Sequence, residues 1–95
     1  MNSLVGKYFV YDKYGHRRFG IAIKVIPKNI ALSEYDMNKY AQISVDNKAL
    51  YNSVKGPCKV DRLILKVRTD CYVISPLHTL REVDENEEEI NHENK

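Results

Sequence analysis

The chain has no tryptophan, two cysteines, three prolines and four glycines in 95 residues. Each scarcity excludes something. Two cysteines, Cys58 and Cys71, do not make a disulfide-stapled scaffold, and they lack the close pairing from which structural zinc sites are built. They read as ordinary thiols of a reducing compartment. The glycines, at 6, 15, 20 and 56, spell neither a GxGxxG fingerprint nor a GxxxxGK[ST] phosphate loop, and no GxSxG elbow occurs. No apolar run approaches the roughly 18 residues a membrane-spanning helix needs. The opening MNSLVGKYFVYDKYG lacks the basic-then-apolar order of a secretory signal, so a cytoplasmic protein with no membrane contact is expected.

The remaining enzyme chemistries fail on position. Cys58, Cys71 and His78 offer three metal ligands with no fourth in an obvious place. Nucleophilic catalysis needs a base beside Ser, Cys or Thr, yet His16 and His78 fall in expected turns and His92 near the carboxyl end. Glu85, Glu87, Glu88 and Glu89 are carboxylates in a polar run with no rigid element to set their separation. The expectation is a non-catalytic protein without metal or cofactor.

What is present is enough apolar residue for one core: 43% of the chain is hydrophobic and 29% charged, an ordinary globular balance. The net charge of +2 hides a segregation. Residues 1–81 hold 14 Lys and Arg against 6 Asp and Glu, a charge of +8, whereas residues 82–95 hold 7 acids against Lys95, a charge of −6. A basic body attracts phosphates or acidic protein surfaces. From Asp84 the run DENEEEINHENK is too polar to offset its ordering entropy, so the expected organisation is one small domain over 1–83 and a disordered acidic tail over 84–95.

Residues 4–11, LVGKYFVY, and 17–26, RRFGIAIKVI, have strand composition and flank a polar turn over 12–16 containing Gly15. In the second run Phe19, Ile21, Ile23 and Val25 alternate against Gly20, Ala22 and Lys24, which places the two sets on opposite faces, and Pro27 ends the strand. Ser33 with Asp36 three positions later resembles a helix cap, so residues 28–40 read as a loop with one helical turn. AQISVD over 41–46 alternates as a half-buried strand does. Asp46 or Asn47 caps a short helix over 48–54, stopped by Gly56-Pro57, with glycine suiting a left-handed exit. Residues 60–67 and 71–74 form a hairpin with Leu63, Leu65, Val67, Cys71 and Val73 in the core, and LREV over 80–83 makes a last short strand. The class is mainly β: a small barrel or a strongly curled antiparallel sheet of five to six strands with one or two short helical connectors.

The succession VGKYFVY, RFGIAIKVI, AQISVD, LILKVRTDCYVI and SPLHTLREV resembles the layout of SH3-like small barrels over roughly residues 4–83. The short length, the Lys/Asn/Tyr/Ile-rich vocabulary and the acidic end resemble accessory proteins of phages and mobile elements in AT-rich bacteria. That second resemblance implies a protein that binds and inhibits or modulates a host or defence complex.

The densest functional signal is the interleaving of cations with rings near the amino end. Tyr11, Lys13, Tyr14, His16, Arg17 and Arg18 crowd one hairpin tip, where recognition residues carried by a rigid sheet tend to sit. Tyr and Arg supply large contact area and charge-assisted hydrogen bonds at protein interfaces. Cations with stacking rings equally suit DNA or RNA, and for that reading Lys7, Lys24, Lys66 and Arg68 are the candidate phosphate contacts. Against both stands the plain alternative that Phe9 and Phe19 are core and the lysines a hydrated face. A third reading makes the acidic run itself the effector, imitating phosphate on a partner. The expected partner is a protein or a protein–nucleic-acid complex, with a nucleic-acid-binding module as the alternative.

Overall fold

The computed structural model describes residues 4–43 and 46–84. Strands β1 (Tyr8–Lys13) and β2 (His16–Ile26) form the first hairpin, with Lys13 opposite His16. The loop is therefore two residues, Tyr14-Gly15, shorter than the turn expected over 12–16. Both have positive φ, 53° and 78°, the mirror-image turn whose twist matches that of the strands it joins. Strands β3 (Arg62–Arg68) and β4 (Cys71–Pro76) form the second hairpin, and β5 (Arg81–Val83) follows a 3-10 turn over Leu77–Thr79.

All five strands lie in one antiparallel sheet of order β4-β3-β2-β1-β5. The mainly β class is as expected, but the sheet does not close into a barrel. β5 is three residues long and pairs with β1, so β4 and β5 remain separate edges.

The sheet buries side chains on both faces. On the first face Phe9, Tyr11, Ala22, Leu63 and Leu65 form a cluster flanked by Leu4, Val25, Val67, Val73, Leu77 and Leu80. On the second, Ile26 and Ile64 meet Leu32, Met37 and Tyr51 from the covering segment, with Ile23, Tyr72 and Ile74 beside them. This explains why β3 reads as an unbroken apolar run, Leu63-Ile64-Leu65: a strand covered on both sides has no polar face.

A β-bulge in β2 corrects the simple alternation expected there. Ala22 pairs with Leu65 and Lys24 with Ile64, so two residues of β2 are passed for one of β3. One extra residue shifts the phase of everything after it. Val25 thus joins Ala22 on the first face, while Lys24, expected beside Gly20 and Ala22, joins Ile23 and Ile26 on the second.

The covering segment begins where Ser33 Oγ accepts a hydrogen bond from the Asp36 amide at 3.0 Å, the cap its sequence predicts. Helix α1 (Glu34–Asp36) runs directly into a π-helical turn over Met37–Ala41, and Gln42 leaves it in the left-handed region. The strand expected over 41–46 is absent: Ala41 belongs to the π turn, Ile43 is irregular and Asp46 lies in a turn, with 44–45 outside the described residues. Ala41 and Ile43 still pack on the second-face cluster, so their spacing reflects burial of a coil and not pairing in a ladder. Helix α2 (Lys48–Lys55) forms where expected, but the Asn47 side chain makes no cap hydrogen bond, and Gly56 ends the helix in an extended conformation, not a left-handed one. The Tyr51 hydroxyl donates to Glu34 Oε1 at 2.7 Å, tying α2 to α1. That hydrogen bond keeps the phenol protonated beyond the ordinary tyrosine range.

Gly20 is needed for want of space. A Cβ there would lie 2.9 Å from Leu65 Cβ and 3.2 Å from Val67 Cγ1. Gly20→Ala is expected to destabilise the protein by about 1–3 kcal/mol through overpacking, read as a lower urea midpoint at unchanged slope. Gly15→Ala meets no atom within 4 Å and is opposed only by its backbone angle. No helix among the described residues is long and apolar enough to cross a membrane.

Candidate functional site

β2 and β3 run antiparallel, with Ile26 opposite Arg62 and Ile21 opposite Lys66, so both hairpins turn back at the same end of the sheet. Between their tips lies a cleft of about 440 Å³. Tyr11, Tyr14 and Arg18 line it from the first hairpin, and Val67, Arg68, Cys71 and Val73 from the second, with Phe19 adjoining. The fold thus brings the basic-aromatic tip against residues about fifty positions away.

Register divides the six residues expected at that tip. Tyr11 pairs with Arg18 and Lys13 with His16, which puts these four positions on the first face, whereas Arg17 pairs with Asp12 on the second. The side chain of Lys13 lies outside the described set. Arg18 and Tyr14 reach the cleft; His16 and Arg17 are exposed but do not line it.

Tyr11 is the most buried lining residue, 9% exposed, and no hydrogen bond to its hydroxyl is formed among the described residues. Burial, and then the neighbouring Cys71 thiol, push its pKa above the usual tyrosine value, while the Arg18 guanidinium pulls it down. The hydroxyl is therefore a proton donor at neutral pH. Tyr14 is 90% exposed and adopts a left-handed backbone, a conformation that costs a non-glycine residue roughly 1 kcal/mol.

The four candidate phosphate contacts are not gathered together. Lys7 Nζ lies 3.6 Å from Glu82 Oε2, and Lys24 Nζ donates to both Asp36 oxygens at 2.8 and 3.0 Å. Lys66 is exposed on the second face, opposite Ile21 and Tyr72. Arg68 alone of the four belongs to the hairpin-tip cleft. A second, shallower cleft of about 380 Å³ at the other end of β3 is lined by Lys28, Lys59, Asp61 and His78 together with Val60 and Leu77.

No family model, curated protein or solved structure matches the chain. The chemistry of the site therefore rests on its own side chains. Among the described residues no three His, Cys, Asp or Glu side chains stand close enough to hold a metal ion. Two guanidiniums, one buried phenol and an apolar back wall are equipped to bind, through charge-assisted hydrogen bonds and desolvated contact area.

Sequence reasoning assigned Val67, Cys71 and Val73 to the core and missed that they also form one wall of the site. The signal was available in the topology: successive hairpins of an antiparallel meander place alternate tips at one end.

Proposed function

We propose that this chain is a non-catalytic binding protein that engages a partner protein through the hairpin-tip cleft, in the manner of a phage or mobile-element accessory protein that modulates a host or defence complex. The observation that carries the reading is Tyr14, 90% exposed in a left-handed backbone at the rim of a cleft flanked by Arg18 and Arg68. The two-residue turn fixes that backbone and holds the ring out from paired strands, the position in which a rigid sheet presents a recognition side chain. The strand order, with a 3-10 turn ahead of the closing strand, supports the likeness to SH3-like small barrels.

A protein partner is favoured over nucleic acid because Lys7 and Lys24 already hold carboxylates, which interrupts a continuous strip of free cations that would follow a phosphate backbone. Affinity capture from the native host, with and without nuclease, tests this. Arg18→Glu is expected to weaken capture by about tenfold or more, as hot-spot arginines do, and Arg17→Glu, on the other face, much less. Unchanged partners and affinities with Arg18→Glu overturn the reading, and capture abolished by nuclease moves it to nucleic acid.

A further inference from the structure

The hairpin-tip cleft is amphipathic in an ordered way. One side is cationic, with Arg18 from β2 and Arg68 from the end of β3. Neither guanidinium has an ion-pair partner among the described residues. The other side is apolar, with Val67 and Val73 extending the first-face core to the cleft wall. Between them Tyr11, nine-tenths buried, presents a hydroxyl with no protein acceptor or donor among the described residues. Its ring is packed into the first-face core while the hydroxyl is not among the buried, unsatisfied polar atoms, so the oxygen opens onto the cleft, where a bound group can accept from it. Guanidiniums match planar or tetrahedral oxyanions in two-point contacts, and a neutral hydroxyl adds a third donor without adding charge.

From this arrangement we infer that the cleft recognises an oxyanion carried on an apolar body: an acidic or phosphorylated side chain of the partner, its carboxylate or phosphate held by Arg18, Arg68 and the Tyr11 hydroxyl and its apolar stem lying on Val67 and Val73. The inference rests on the proposed partner-binding role of the cleft and supplies its ligand chemistry. Neither half of the cleft suffices alone. An inorganic anion leaves the valine wall wet, and a neutral apolar group gains nothing from two guanidiniums and a phenol that stay with water, so selectivity for the combined group follows from both.

The test uses the full chain, labelled with nitrogen-15, and four probes at matched ionic strength: sodium benzoate, phenyl phosphate, sodium acetate and benzyl alcohol. Benzoate or phenyl phosphate is expected to give saturable amide shifts confined to residues around Tyr11, Arg18, Arg68 and Cys71, with acetate and benzyl alcohol weaker by about tenfold. Which of the two aromatic anions binds more tightly identifies carboxylate or phosphate as the natural group. Arg18→Gln is expected to weaken the better probe about tenfold, and Lys66→Gln to leave it unchanged. Arg18 is exposed, and the amide spectrum of the variant shows directly that the fold is kept. Benzyl alcohol binding as well as benzoate overturns the inference, as does acetate binding equally well, or the absence of saturable shifts by about 50 mM. Since no partner is needed, benzoate binding alongside partner capture that ignores Arg18→Glu defeats the proposed function alone. Arg18-dependent capture without probe binding defeats this inference alone.

Discussion

Arg62→Ala lowers the stability of the protein by about 3 kcal/mol, a large fraction of the 5–15 kcal/mol typical of a folded domain. Arg62 opens β3, yet it is only 4% exposed. Its guanidinium reaches beneath the covering segment, where Nη1 donates to the Val54 carbonyl at 2.8 Å and Nη2 to the Ile30 carbonyl at 3.1 Å. One side chain thus ties the end of α2 and the loop after β2 to the sheet. Hydrogen bonds from a charged donor contribute about 1.5–3 kcal/mol each, so losing two outweighs the relief of no longer burying a charge. That relief is real, because Nε is buried with no partner. Arg62→Met, which keeps the packed stem and still removes both donors, is expected to cost less than Arg62→Ala. Urea denaturation measures both. An effect of Arg62→Ala no larger than about 0.5 kcal/mol, the size expected for the exposed Lys66→Ala, refutes the strut.

Lys24→Met destabilises by about 2–3 kcal/mol because it leaves the Asp36 carboxylate buried and unpaired. Asp36 is 2% exposed, and its two carboxylate oxygens both accept from Lys24 Nζ. Breaking one side of a buried pair costs about 3–5 kcal/mol, and the value here is lower because the Lys24 side chain is 44% exposed and water screens part of the interaction. Lys24→Met combined with Asp36→Leu is expected to recover most of the loss, since replacing both partners by apolar groups removes the desolvation penalty together with the attraction. A double-mutant cycle by urea denaturation checks this, and simple additivity of the two single losses contradicts it. The pair also bears on binding, as a lysine that neutralises Asp36 is a poor phosphate contact.

Local chemistry accounts for the elements that sequence reasoning placed well. Gly15 between two β-rich runs announces the first hairpin, Pro27 closes β2, Ser33 caps α1, and the run from Leu63 to Leu65 marks a strand buried on both faces. These signals lie within a few residues of what they determine. The misplaced features have distant causes. The strand expected over 41–46 depended on alternation, and alternation arises equally when a coil turns every second side chain onto a sheet, as Ala41 and Ile43 do. The bulge in β2 leaves no mark in the alternating run RRFGIAIKVI, because the extra residue is measured against β3.

The candidate site divides in the same way. Composition along residues 11–18 was enough to single out a basic, aromatic hairpin tip as the candidate site, since ring and cation chemistry belong to the side chains themselves. Only the tertiary structure decided which of those residues lie together. Strand register sends Arg18 and Tyr11 to one face and Arg17 to the other, and the return of β3 beside β2 supplies Arg68, Cys71 and a valine wall. Ion pairing, likewise, removed Lys7 and Lys24 from the free cations. Side-chain chemistry is a local property that the sequence states outright; facing, pairing and enclosure depend on residues brought together from far along the chain, and those are settled when the sheet forms.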